Sequence, residues 1–305
     1  MTRKTRDIAA SVRQRLLNLS RERKEDFQAV LTRYGIERLM YRLARSPHGE
    51  EFVLKGAMLF TLWTGEAYRA TWDLDLLGRG TIDIARLAEV FREVCEVVVD
   101  DDGLAFDAKS VRGERIREDL EYEGVRIHLG ARLGVARVSI QVDIGFGDAV
   151  TPRPQKVAFP TLLDFPAPEL KAYPREPVVA EKFQAMVVLG MGNSRMKDFY
   201  DVWSLARAFE FDGGTISRSI RATFERRRTP LPTEDPLALS PSFADDRVKQ
   251  TQWRAFVRKG RLLTEAPPLP DVIGVLRGFL MPPVNALVEG RAFGMKWPAG
   301  GHWRA

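Results

Sequence analysis

Two aspartates, Asp73 and Asp75, flank a leucine in the run Trp72-Asp73-Leu74-Asp75-Leu76-Leu77, whose alternation reads as a strand. Residues two apart on a strand project to one face, so both carboxylates point the same way. Like charges at that spacing repel and raise one another's pKa. A divalent cation removes the penalty. Oxygen donors suit hard cations, and Mg²⁺ typically takes one or two carboxylates together with substrate phosphates. The plain alternative is a solvated strand face, because D-x-D is a common tripeptide. A third carboxylate, Asp143, lies on the polar face of the best strand in the chain, where Val138, Ile140, Val142 and Ile144 alternate with Ser139, Gln141 and Asp143. Strand interiors disfavour aspartate, so Asp143 needs a reason. Metal ligation is one. Turn capping is the other, although Gly145 and Gly147 already supply a turn.

Three more groups carry charge at suggestive places. Lys55-Gly56-Ala57 joins a short strand to a short apolar helix, with Gly56 17 residues before Asp73. A glycine there lets backbone N–H groups approach a phosphate, and a helix N-terminus favours an anion. Lys55 is a phosphate contact or simply a strand-end lysine. Lys182 borders the apolar stripe of Val179, Phe183, Met186, Val187 and Gly190. It is either a snorkelling lysine or a phosphate-binding ammonium. Asp198 shares a helix face with Val202, Leu205 and Phe209, so it should be paired or capping. It is a first-turn acid favoured by the helix dipole or a buried partner for Lys182, and Asp201, one turn on, could serve either role.

The elements that must position these groups follow from periodicity. Residues 6–45 read as helical, 51–54 as a strand, 57–64 as a helix, 72–77 as a strand and 83–97 as a helix. A meander of strands occupies 111–144. Seven prolines then fall between Pro152 and Pro177, which predicts a largely extended connector. Helices are expected at about 178–190, 196–210, 214–227, 245–259 and 271–289, and the tail from Lys296 to Gly301 reads as loosely ordered. The expectation is an α/β (α+β) protein: an α/β lobe over 1–150, a proline-rich connector over 151–177 and a mainly helical lobe over 178–305.

Composition excludes several classes. One cysteine, Cys95, rules out a disulfide framework and a cysteine-based zinc site. His48, His128 and His302 lack metal-ligand spacing. No run of about 18 apolar residues suggests a membrane span, and the charged N-terminus lacks a signal-peptide core, so a cytoplasmic protein is expected. The net charge is +6, with 47 Lys+Arg against 41 Asp+Glu; that permits an anionic partner without establishing one. Arg112, Arg115, Arg117, Arg126, Arg132, Arg221, Arg226, Arg227 and Arg228 are candidates for a phosphate-tracking surface, and each alone is as well explained as a solvated arginine.

Taken in order, Lys55-Gly56-Ala57, Asp73-Leu74-Asp75, Glu181-Lys182-Phe183 and Lys197-Asp198-Phe199-Tyr200-Asp201 resemble the AbiEii/MenT group of nucleotidyltransferase toxins, from type IV-like toxin–antitoxin and phage-abortive systems. The resemblance spans roughly residues 50–205. It implies a bilobed protein with a polymerase-β-like nucleotidyltransferase core, a mixed sheet, a helical C-terminal lobe and a site between them. It also implies transfer of a nucleoside monophosphate from an NTP to the 3′ end of tRNA, which blocks aminoacylation and translation, and a cognate antitoxin encoded nearby. Carried onto this chain, Asp73, Asp75, Lys182 and Asp198 are catalytic. Asp73, Asp75 and Asp143 hold Mg²⁺ or Mn²⁺. Lys55, Gly56, Ala57, Arg69 and Asp201 contact the nucleotide. The glycine of the family is usually followed by Gly or Ser, whereas Ala57 lacks a hydroxyl and retains only its backbone N–H. Two other readings fit the same residues: a nucleotidyltransferase acting on a protein or small molecule, and a non-catalytic nucleic-acid- or partner-binding module.

Overall fold

A computed structural model describes residues 7–65, 72–118, 122–260, 262 and 264–305. The chain divides into two units, Met1–Gly147 with Gln155–Ala172, and Asp148–Pro154 with Tyr173–Ala305.

The first unit carries α1 (Ile8–Glu22), α2 (Phe27–Arg45), β1 (Phe52–Lys55), α3 (Met58–Thr64), β2 (Asp73–Gly78), α4 (Ile84–Glu96), β3 (Leu104–Glu118), β4 (Tyr122–Leu133), β5 (Ala136–Phe146), β6 (Gln155–Ala158) and β7 (Glu169–Ala172). The single helical stretch expected over 6–45 is two helices. Lys24 takes a positive φ of 51°, and the Asp26 side chain accepts from the Ala29 N–H, which caps the second helix. The strands form one mixed sheet in the order β3-β4-β5-β2-β1-β7-β6. β2 runs parallel to β5 and β1 parallel to β7; the other neighbours are antiparallel. The proline-rich stretch is extended as expected, and it contributes β6 and β7 to this sheet.

Alternation sorts the sheet into two faces. Val138, Ile140, Val142 and Ile144 of β5 are all buried, as are Val125, Ile127 and Leu129 of β4. Against them packs α2. A Cβ on Gly35 would stand 2.9 Å from Val138 Cγ1 and 3.1 Å from Ile140 Cδ1, so only glycine admits helix and strand that close. α4 adds the buried stripe Leu87, Val90, Phe91 and Val94. Two buried arginines of α2 are satisfied by one acid: Arg38 Nε and Arg42 Nη1 donate to Asp102 Oδ2 at 3.1 and 2.7 Å. The acidic residues of β2 and β5 stand on the opposite face.

The second unit is mainly helical: α5 (Arg175–Leu189), α6 (Met196–Ala208), β8 (Phe211–Asp212), α7 (Gly213–Arg226), α8 (Pro241–Ala244), α9 (Arg247–Lys259), α10 (Leu269–Val288) and β9 (Lys296–Trp297). By length and mean hydropathy (1.3) α10 could cross a bilayer. Its buried residues Leu269, Val272, Ile273, Leu276, Phe279, Leu280 and Val284 recur at three- and four-residue spacing and form the centre of this unit. The tail is not loosely ordered. β9 pairs with β8, Trp297 Nε1 donates to the Ala206 carbonyl at 2.7 Å, and the Trp303 ring stacks on Phe279 at 5.8 Å. The buried Trp297 and half-buried Trp303 indoles, with satisfied N–H groups, anchor a segment that its glycines and proline alone would leave loose.

Candidate functional site

β1, β2, β5 and β4 are neighbours, and their register brings four charged residues into one row. Lys55 is opposite Asp75, Asp75 is opposite Asp143, and Asp143 is opposite Arg126. Opposed residues in a ladder project to the same face. Strand pairing alone therefore lays a cation, two carboxylates and a second cation across the sheet. Asp73 lies two residues along β2 on the same face, opposite Gln141. One carboxylate oxygen from each of Asp73, Asp75 and Asp143 lies within 4.8 Å of the others.

Asp143 is buried and held by a fork. Arg126 donates from Nε to Oδ1 and from Nη2 to Oδ2, both at 2.8 Å, and Gln141 Nε2 stands 3.2 Å from each oxygen. The hydrogen-bonded Asp143 carboxylate raises the Arg126 pKa, against the smaller opposing effect of desolvation. On the other flank, a Cβ on Gly145 would lie 3.2 Å from Lys55 Nζ, so that ammonium passes over β5 beside Asp143.

Gly56 has a specific steric role. Its φ is +73°, and a Cβ there would fall 1.9 Å from Asp75 Oδ2 and 2.5 Å from Asp75 Cγ. Backbone conformation and close approach both demand glycine. Ala57 occupies the cap position of α3, a helix of seven residues, and makes no side-chain cap bond. Arg69 lies outside the described residues.

Lys182, Asp198 and Asp201 meet within the second unit, where α5 and α6 pack. Lys182 Nζ stands 2.5 Å from Asp198 Oδ1 and 2.9 Å from Asp201 Oδ2. Both aspartates are buried. Asp198 is thus the partner of Lys182, and the lysine head is directed to two carboxylates instead of snorkelling to water. Burial pushes the Asp198 pKa up, but the Lys182 charge and hydrogen bond more than reverse this, so it is lowered.

The sequence reading grouped Arg126 and Arg227 with arginines suited to tracking phosphates. Both are committed to ion pairs. Arg227 Nη2 lies 3.0 Å from Asp148 Oδ1 and 3.5 Å from Glu181 Oε2, and Nη1 donates to Gln184 Oε1 at 2.8 Å. Arg112, Arg115, Arg132, Arg221, Arg226 and Arg228 are exposed; the side chain of Arg117 is outside those described. The Arg126–Asp143 clamp was missed, yet a signal exists. Gly134-Val135 is the two-residue turn between β4 and β5. Counting seven residues back from Leu133 and seven forward from Ala136 lands on Arg126 and Asp143.

Two solved structures are similar. JHP933 from Helicobacter pylori shares 15% identity and a TM-score of 0.48, covering 87% of this chain and 95% of that one. A second H. pylori structure, assigned as a candidate nucleotidyltransferase, shares 15% identity and a TM-score of 0.47, covering 87% of this chain and 98% of that one. No curated protein sequence matches the chain. The profile of one family, described as the nucleotidyl transferase AbiEii toxin of type IV toxin–antitoxin systems, matches residues 38–276. That span holds Lys55, Asp73, Asp75, Asp143, Lys182, Asp198 and Asp201, and the chain belongs to this AbiEii nucleotidyltransferase toxin family.

Proposed function

We propose that this toxin transfers a nucleoside monophosphate from an NTP to the 3′ end of tRNA, releasing pyrophosphate and so blocking aminoacylation and translation. The observation that carries the reading is the convergence of Asp73, Asp75 and Asp143 within 4.8 Å on one sheet face, in a chain whose family is one of nucleotidyltransferases. The three groups offer only hard oxygen donors, which fit Mg²⁺ or Mn²⁺ and not a thiolate- or imidazole-seeking metal. Such an ion, when bound, neutralises triphosphate charge and lowers the pKa of an attacking hydroxyl.

The chain's own residues divide the remaining work. Asp73 and Asp75 are the principal ligands, with Asp143 the third. Gly56 leaves room for Asp75. Lys55, the Gly56 and Ala57 backbone and Arg69 are the proposed nucleotide contacts, and Asp201, fully buried, serves the nucleotide through Lys182. Lys182 supplies positive charge to the β- and γ-phosphates. Asp198 orients that ammonium. Its lowered pKa makes it a weak base, which supports an orienting role over proton abstraction. In this reading the first unit is the nucleotidyltransferase core and the helical unit supports Lys182. As the toxin of a toxin–antitoxin pair, the chain has an antitoxin partner, proposed to be encoded by a neighbouring gene and to act with or without a stable complex.

The test is incubation with each labelled NTP, Mg²⁺, total RNA and cell lysate. Label at the 3′ end of tRNA that disappears with Asp75→Ala and Lys182→Ala is the expected result. Label in protein with none in RNA would overturn the acceptor. Equal toxicity of the wild type and both variants on induction would argue for binding in place of catalysis.

A further inference from the structure

The third carboxylate of the triad is already paired with a cation. An ionised carboxylate has about four lone-pair sites. Asp143 receives Arg126 Nε and Nη2 at 2.8 Å and one Gln141 Nε2 donor shared between its two oxygens at 3.2 Å. A divalent ion joining Asp143 to Asp73 and Asp75 would share a carboxylate already forked to a guanidinium. The Arg126 side chain is 31% exposed against 10% for Asp143, so the guanidinium forms the outer side of the pair. A second acid neighbours it along the ladder: Arg126 is opposite Asp143 on β5 and opposite Glu114 on β3, whose Oε1 also lies 3.1 Å from His128 Nε2.

We propose that Arg126 is the exchangeable counter-cation of this triad: it holds Asp143 in place without a divalent ion and yields an oxygen, shifting toward Glu114, when one binds. This rests on the metal reading given above. The physical reason is that a guanidinium and a divalent ion are both cations, and they repel when they share one carboxylate. Arg126 therefore positions Asp143 and opposes the ion at the same time. Its removal should tighten metal binding, the opposite of what losing a purely structural residue does.

The experiment is an Mn²⁺ titration followed by electron paramagnetic resonance of the free ion. The proteins are full-length wild type, Arg126→Gln, Arg126→Lys and, as a site control, Asp75→Ala. Arg126→Gln should bind Mn²⁺ roughly tenfold more tightly than wild type, and Mn²⁺ should raise its Tm by more. Arg126→Lys keeps the charge but not the fork and should bind about threefold more tightly. It carries the test if Arg126→Gln lacks a cooperative thermal transition. Equal or weaker binding by the variants, with wild-type binding that Asp75→Ala abolishes, would overturn the inference and leave the metal reading intact. No Mn²⁺ bound by any of them, or binding indifferent to Asp75→Ala, would overturn both.

Discussion

The strand row and the helix cluster use the same residue types and reach opposite electrostatic ends. On β2 and β5, three carboxylates converge and are flanked by Arg126 and Lys55. On α5 and α6, one lysine lies between two aspartates, one 4% and the other 0% exposed. The row sets three carboxylates beside Arg126 and Lys55 and keeps Asp73 and Asp75 partly accessible. The cluster buries both its acids around a central ammonium. An acid excess at a partly open face is a place for an added cation. A buried acid pair around a lysine is a rigid mount, because removing the lysine strands two charges in low dielectric. Composition alone does not separate the two; burial and geometry do.

The largest effect that would test this contrast is on chemistry. Asp75→Ala should slow nucleotidyl transfer roughly 10⁴-fold, about 5 kcal/mol of barrier. Its Tm should change little, because Asp75 is partly accessible and its loss buries no unpaired charge. A variant that unfolds while the wild type stands would show that the row is structural. Lys182→Met should lose transfer as well and, unlike Asp75→Ala, lose stability with it. Two buried carboxylates left without their cation cost roughly 3–5 kcal/mol, readable in urea unfolding. A loss below about 1 kcal/mol would place the cluster in the solvated class.

Smaller effects sharpen the comparison. Gly56→Ala adds a strained φ, worth about 1–3 kcal/mol, and pushes Asp75 from its place. Activity should therefore fall well beyond the loss of stability; a stable, fully active variant would mean that Asp75 need not sit where it does. The smallest effect is the acid limb of stability. The folded Asp198 pKa lies below its ordinary 3.8. Its contribution is then fully present above that value and is lost as pH falls through the lower folded one. Thermal melts from pH 6 downward should show a steeper decline for wild type than for Asp198→Asn. Parallel curves would remove Asp198 from the acid response.

Much of this was legible in residue order. The i, i+2 spacing of Asp73 and Asp75 gave their shared face, and the alternation around Asp143 gave its strand, because strand period is a local property. The pairing of Lys182 with Asp198 was one of two readings of a carboxylate on an apolar stripe. Both hold: Asp198 lies in the first turn of α6 and pairs with Lys182. The role of Arg126 was not read, although the hairpin turn at Gly134-Val135 encodes its register with Asp143. The tail was misjudged because glycine and proline mark loops locally, while Trp297 and Trp303 act through contacts distant in sequence.

By itself the sequence determined the chemistry available: hard oxygen donors, lysine and arginine, one cysteine, no zinc spacing and a set of motifs in family order. Only tertiary structure decided how those groups pair. Sheet order placed β5 between β2 and β4, so Asp143 meets both Asp75 and Arg126. The reason is that side-chain direction follows from local backbone geometry, whereas proximity across strands and helices depends on which elements the buried apolar faces bring together.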